Sequence, residues 1–309
     1  MILLNGQFAD DLIPQLERSM RTGRYEGAGD AELGCAEILV TRGKLRVDSS
    51  VLDRLPSLRL VIKAGAGLDT IDVAAATARG IAVRATGGSE DSVAELALAL
   101  TLCCLRNLTA FDRAVRRLDW ASKTGFVGAT MASRHVGVIG FGRIGRAYAA
   151  KAAALGAEVS FWDRSPGQRD KAEFAARIGA TSHERLSTLV AAADVLSLHV
   201  PLTGETRSLL GTREFSSIRR ETILINTARA EVVNRDCLME ALATGRLAAA
   251  GLDVHYLEGK PSHDPLYDLP NVVLTPHVGA QTHDAQRAIS SRIVALVRSH
   301  AASAAEVEP

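Results

Sequence analysis

A chain of 309 residues with 47% apolar and 23% charged content describes a globular protein of about two domains, and it excludes collagen-like, mucin-like and disordered classes. Its 36 Lys and Arg against 35 Asp and Glu leave a formal charge of +1 with no concentrated run of one sign, which excludes a dedicated nucleic-acid or membrane-surface binder. Cys35, Cys103, Cys104 and Cys237 form no CxxC pair and lie in apolar, periodic segments, so reduced, buried thiols are expected and no metal is. The chain start has no basic region followed by an apolar core, and no run of about 18 apolar residues occurs, so the expected location is the cytoplasm without a membrane span.

From Glu37 onward, β-branched or leucine-rich runs alternate with alanine-rich stretches, the pattern of parallel strands joined by crossover helices, and the fold class is α/β. Residues 58–62 predict a strand, Ala64-Gly65-Ala66-Gly67 its outgoing loop, 73–79 a helix stopped by Gly80, and 81–83 the next strand. Ser92-Val93-Ala94-Glu95 has the form of a capping box and predicts a long apolar helix through Leu105 toward Arg117, a candidate domain crossover. A polar, poorly periodic stretch over 119–134 precedes a second strand–helix series from His135. Thr282 is placed to cap a last helix carrying Ile289, Ile293, Val294 and Val297, and a polar tail without structure is expected to follow.

Within the second series, Val136-Gly137-Val138-Ile139 leads straight into Gly140-Phe141-Gly142-Arg143-Ile144-Gly145, and an alanine-rich helix runs on to Gly156. A second apolar run then ends in Asp163. Strand, Gly-x-Gly-x-x-Gly, helix, strand and acid are the parts of a dinucleotide site: Gly140 for the tight turn, Gly142 for backbone approach to a pyrophosphate, Gly145 for close helix–strand packing. Asp163 would accept hydrogen bonds from the ribose hydroxyls and repel a 2′-phosphate, which favours NAD over NADP, and the adjacent Arg164 would soften that preference.

Further on, apolar runs end in Leu198-His199-Val200-Pro201, Asn226-Thr227-Ala228-Arg229, Leu252-Asp253-Val254-His255-Tyr256-Leu257-Glu258 and Leu274-Thr275-Pro276-His277-Val278-Gly279. In an open parallel sheet such strand ends gather at one edge beside the nucleotide, so Arg229, Glu258 and His277 can meet there. Their types suit a redox step on a carbonyl. An arginine holds a carboxylate and polarises the neighbouring carbonyl. A histidine gives or takes the proton, and a glutamate on its far nitrogen orients the ring and favours the protonated form. His199, His255 and His283 are weaker candidates.

At these residues the chain resembles the D-isomer-specific 2-hydroxyacid dehydrogenases, and among them the short phosphoglycerate-dehydrogenase-like members. The anchors are Lys63-Ala64-Gly65-Ala66-Gly67-Leu68-Asp69, Val93-Ala94-Glu95, the Gly140 to Gly145 loop with Asp163, and the Arg229, Asp253 and His277 segments quoted above. The resemblance implies two doubly wound parallel-sheet domains with a cleft between them: a flavodoxin-like substrate domain of residues 1–106 plus 284–309, and a Rossmann NAD domain of residues 107–283. It implies substrate polarisation by Arg229, with Glu258 and His277 as the orienting acid and proton donor. Cofactor contacts carry over to Arg143, Ile144, Asp163, Val200, Thr206, Thr227, Ala228, Asp253 and Gly279, and the substrate carboxylate to the N–H groups of Ala66 and Gly67. A homodimer through the nucleotide domains is implied as well, with the helix after Ser92 contributing.

The chain departs from the family pattern in places. Arg84-Ala85-Thr86 replaces the usual Asn-x-Pro, Gly259 the proline after the glutamate, and Ala230 the glycine after the arginine, while Ala66 stands where a phosphite enzyme would place a lysine. Arg42, Lys63 and Arg84 would have to converge if the substrate were 3-phosphoglycerate; glycerate, hydroxypyruvate and lactate-like acids are the other substrates considered. Two different readings are an NAD-binding corepressor-like regulator and another Rossmann dehydrogenase, such as one acting on amino acids.

Overall fold

In the computed structural model, which describes residues 1–305, twelve strands form two wholly parallel sheets. The expected unstructured tail lies, from residue 306 on, outside the described residues. The chain divides into two compact units, Met1–Ser89 with the segment from Ala280 onward, and Glu90–Gly279.

In the first unit, β1 (Ile2–Asn5), β2 (Thr22–Arg24), β3 (Ile38–Thr41), β4 (Leu60–Lys63) and β5 (Ala82–Ala85) lie in the order β2-β1-β3-β4-β5. A parallel sheet covered on both faces needs strands that are apolar throughout, and β1, β3 and β4 are buried at every residue. Leu3, Leu39 and Val61 pack against Leu33, Leu52, Leu55 and Ala76 on one face. Ile2, Leu4, Ile38, Val40 and Ile62 meet Leu12, Leu16, Ile289, Ile293 and Val297 on the other, the last three from the helix His283–Ala305. Thr282 caps that helix, accepting from Ala285 N at 3.2 Å.

The second unit contains β6 (His135–Ile139), β7 (Glu158–Trp162), β8 (Thr181–Ser182), β9 (Val195–Leu198), β10 (Thr222–Asn226), β11 (Leu247–Leu252) and β12 (Val272–Leu274), in the order β12-β11-β10-β9-β6-β7-β8. The order reverses direction at β6, where a doubly wound sheet opens a crevice for a ligand. Register does the rest. Ile139 pairs with Trp162 and Leu198, Leu198 with Asn226, Asn226 with Leu252, and Leu252 with Leu274. The residues that follow, Asp163, Gly140, His199, Thr227, Asp253 and Thr275, therefore form one row at the carboxyl edge.

This unit begins at Glu90 rather than at residue 107, and ends at Gly279 rather than at 283. The helix Glu90–Arg106 belongs with the second sheet because Ala94, Ala97, Leu100 and Leu105 pack into the core with Tyr148, Ala152 and Ile225. Small residues in β11 make room for it: a Cβ on Gly251 would stand 2.9 Å from Leu100 Cβ. Ser92 is not a cap. The helix starts at Glu90, and the Ser92 hydroxyl instead donates to the Gly279 carbonyl at 2.6 Å. Nor does the helix run unbroken toward Arg117, because Asn107 at φ +51° ends it and Leu108–Arg116 forms a separate helix. No single helix among the described residues is long and apolar enough to cross a membrane; these two pass such a test only as a pair bent by 63°, and the first is built into the core.

Candidate active site

The three glycines after β6 have separable jobs. Gly140 has φ +95°, and a Cβ there would stand 2.7 Å from Val200 Cγ1 and 2.8 Å from the His199 carbonyl carbon. A Cβ on Gly145 would collide with the Gly140 carbonyl oxygen, so this position serves helix–strand packing. Around Gly142 there is nothing within 4 Å of an added Cβ. No side chain caps the helix Arg143–Ala154 that starts there, which leaves its first N–H groups for an anion. Thr227, at the end of β10, has a buried hydroxyl with no partner among the described residues. An open glycine, an uncapped helix start and an orphaned hydroxyl on one sheet edge fit a dinucleotide.

Asp163 is already engaged. Oδ2 accepts from Phe141 N at 2.8 Å, and Oδ1 from Ser165 N at 2.8 Å and Lys171 Nζ at 2.7 Å. Burial opposes its charge, but Lys171 and the two amides outweigh that and hold the carboxyl below the usual range. Arg164 turns away to Glu205 at 2.6 Å, and Arg143 pairs with Glu90 at 3.0 Å. Thr206 donates to the Pro201 carbonyl at 2.6 Å and ties the loop carrying Val200.

Past β12 the chain turns sharply. His277 N–H donates to the Thr275 carbonyl at 3.0 Å, and His277 sits at φ +59°, a strain on the order of 1 kcal/mol that its surroundings must hold. Asp253, only 1% exposed, does much of this. Its Oδ1 accepts from Thr275 Oγ1 at 2.7 Å and Val278 N at 2.8 Å, and its Oδ2 from Gly279 N at 2.9 Å. Both its oxygens thus face the His277 loop, a positioning role that the cofactor-contact expectation did not include. His277 Nδ1 lies 3.1 and 3.0 Å from the two Glu258 oxygens. With a carboxylate accepting there, Nδ1 carries the proton, and Nε2, which makes no hydrogen bond among the described residues, is left for proton exchange.

Arg229 follows β10, whose neighbour β11 leads to Glu258. Asn226 shapes its turn, donating to the Arg229 carbonyl at 2.9 Å and accepting from Ala228 N at 3.0 Å. The half-buried guanidinium donates to the Ala228 carbonyl at 2.7 Å. Of the remaining histidines on this edge, His199 is no proton donor: its Nδ1 is buried, Nε2 meets Ser197 Oγ at 2.8 Å, and burial pushes the imidazole down to about 3.

In the first unit, Gly65 at φ +135° opens the loop after β4. Its N–H donates to Thr86 Oγ1 at 2.9 Å, Gly87 N returns to the Gly65 carbonyl at 3.0 Å, and Arg292 holds the Thr86 carbonyl at 2.8 Å. Thr86, which stands in place of the expected turn proline, is thus the residue that shapes this loop. The N–H groups of Ala66 and Gly67 have no acceptor among the described residues. The three cations named for a phosphate do not converge. Lys63 is buried and donates to the Gly43 carbonyl at 3.0 Å and Thr70 Oγ1 at 2.8 Å, Arg42 reaches Gln7 and Gln286, and Arg84 folds onto the Val83 carbonyl.

Comparison with known proteins gives a consistent picture. Residues 98–279 match the model of the D-isomer specific 2-hydroxyacid dehydrogenase NAD binding domain. The chain is 38% identical over 272 residues to D-3-phosphoglycerate dehydrogenase of Archaeoglobus fulgidus, covering 88% of this chain and 50% of that one. It is 37% identical over 265 residues to glyoxylate reductase of Thermococcus litoralis, covering 83% and 78%. The chain thus spans about half the length of the phosphoglycerate dehydrogenase relative it matches. Among solved structures, D-lactate dehydrogenase of Aquifex aeolicus complexed with NAD and lactic acid superimposes with a TM-score of 0.87 at 26% identity, over 99% of this chain and 97% of that one.

Proposed function

Since the chain belongs to the D-isomer specific 2-hydroxyacid dehydrogenase family, we propose that it interconverts a D-2-hydroxy acid and its 2-keto acid with NAD. The observation that carries the reading is the His277–Glu258 pair, set at the end of a strand-edge row that begins at the glycine loop. When bound, NAD supplies the hydride acceptor, or in its reduced form the donor. The helix start at Gly142 and Arg143 with Ile144 would hold the pyrophosphate, Asp163 the ribose, and Val200, Thr206, Thr227, Ala228 and Gly279 the rest of the nucleotide. His277 Nε2 takes the hydroxyl proton in oxidation and returns it in reduction, while Glu258 fixes the ring and stabilises the imidazolium. Arg229 polarises the carbonyl and pairs with the carboxylate, and the open amides of Ala66 and Gly67 take carboxylate oxygens.

With Arg42, Lys63 and Arg84 each committed elsewhere, a short unphosphorylated acid suits the first unit better than 3-phosphoglycerate. A panel of hydroxypyruvate, glyoxylate, pyruvate and phosphohydroxypyruvate, followed by NADH absorbance, tests this; turnover confined to the phosphorylated acid would reject it. Replacing His277 by Ala should lower kcat about a thousandfold with NADH binding kept, and unchanged turnover would remove His277 from the mechanism. The exposed Leu108, Val115, Leu118, Trp120 and Val127 of the second unit favour a homodimer through that surface, checked by light scattering. Four unpaired cysteines suit a cytoplasmic location.

A further inference from the structure

We infer that His255 is a positioning residue that ties the segment carrying Glu258 to the segment carrying His277 and so sets the aim of the His277 ring. The inference rests on the dehydrogenase reading above. His255 lies two residues beyond Asp253, on the stretch leaving β11. Its main chain and its side chain serve different partners. The carbonyl accepts from Glu258 N at 3.4 Å, closing the turn that brings Glu258 back, while Nε2 stands 2.8 Å from the carbonyl oxygen of Thr275 on the stretch leaving β12. A carbonyl oxygen only accepts, so Nε2 carries the proton. Nδ1 is buried with no partner among the described residues, so no second hydrogen bond competes for the ring's orientation. Tyr267 meets the ring edge-on, at 5.5 Å between centroids and 86° between planes, and holds its plane.

The Thr275 carbonyl is where this matters. It also accepts the His277 N–H at 3.0 Å, the bond that closes the turn around Pro276 and keeps His277 at φ +59°. The other polar groups of Thr275 are bound to the neighbouring strand and its exit: N–H to the Leu252 carbonyl at 3.0 Å, and hydroxyl to Asp253 Oδ1 at 2.7 Å. His255 completes the set. Without its bond the Thr275 peptide is free to rotate, the His277 amide loses its acceptor, and the residue relaxes toward ordinary φ values. That relaxation swings the imidazole off Glu258, and small misplacements of a reacting group are expensive in rate.

His255→Phe keeps an aromatic ring against Tyr267 and removes the donor, whereas His255→Gln places an amide N–H where Nε2 stands. The Phe variant is expected to lose about tenfold in kcat, the value of one hydrogen bond that positions a reacting group, with NADH affinity unchanged. The Gln variant should recover most of it. Long-range proton–nitrogen NMR of the histidine rings gives a readout that does not depend on turnover: His277 ring nitrogen shifts should move in the Phe variant and return in the Gln variant. A Phe variant with kcat within about twofold of the parent, or with unmoved His277 shifts, overturns the inference. A parent that reduces no 2-keto acid overturns the dehydrogenase reading instead, and the ring shifts still decide the role of His255.

Discussion

Each sheet carries a glycine-broken loop at the end of an interior strand, and the two loops expose N–H groups by different means. After β6, the loop supports itself: Gly145 packs so closely on the Gly140 carbonyl that no side chain fits, and the uncapped helix Arg143–Ala154 presents its first turn. After β4 no helix follows until Val73–Ala78, and the amides of Ala66 and Gly67 stay open because a side chain of the next strand's exit, Thr86, holds Gly65. A helix start offers a dipole and several amides, which suits a diphosphate; two amides on a tethered loop suit one small carboxylate. The same composition is therefore suited to two anions of different size.

The sharpest way to break this contrast is to add a methyl group inside the β6 loop. Gly145→Ala forces its Cβ into the Gly140 carbonyl and should cost about 3 kcal/mol of stability. Gly142→Ala meets nothing within 4 Å, so its thermal midpoint should stay with the parent while NADH affinity falls by about tenfold, or about 1.4 kcal/mol. Thermal melts paired with NADH titrations separate the two. Equal loss of affinity without loss of stability at both positions would show that Gly145 has no packing role.

A smaller effect is expected in the other loop. Thr86→Val keeps the shape and deletes the hydroxyl that holds Gly65, so KM for the keto acid should rise about three- to tenfold with kcat little changed. Thr86→Ser should restore it, since the hydroxyl and not the methyl makes the bond. A Thr86→Val enzyme with parental KM would mean that the loop holds its amides in place unaided.

These loops also mark how far the sequence reaches. Gly140, Gly142, Gly145 and Asp163 are legible because their spacing is local: one turn, one helix and one strand fix it. His277 and Glu258 are legible by residue type and by lying past apolar runs. What stays hidden is the set of groups that aim them. Asp253, Ser92, Thr275 and His255 act through hydrogen bonds between residues distant in sequence, most of them involving main-chain groups of the loop after β12, and no periodicity records such a bond. The domain boundary shifted for a similar reason, since the apolar face of Glu90–Arg106 reads the same whichever sheet it covers. β1 went unread because a four-residue strand at the chain start, Ile2 to Asn5, has no periodic context of its own.

The last prediction concerns what stands behind each loop. Behind the β4 loop, buried Lys63 gives its donors to the Gly43 carbonyl and Thr70 Oγ1. Behind the β6 loop, the backbone of His199 touches Gly140, and its ring lies 5.2 Å from the Tyr148 ring. Burial pushes that imidazole from 6.5 down to about 3. Below pH 6.5 the unfolded chain takes up a proton here that the folded chain refuses until about pH 3, so the native state loses stability as pH falls through that window and keeps it in full above. The loss belongs to the second unit. Amide protection factors, taken relative to the intrinsic exchange rate at each pH, should therefore fall in β6 and β9 between pH 7 and about 5 while those in β3 and β4 change less. His199→Gln, which keeps an N–H near Ser197 but cannot titrate, should flatten the dependence. An acid response that is equal in both sheets, or unchanged in the Gln variant, would assign it to the carboxylates and not to His199.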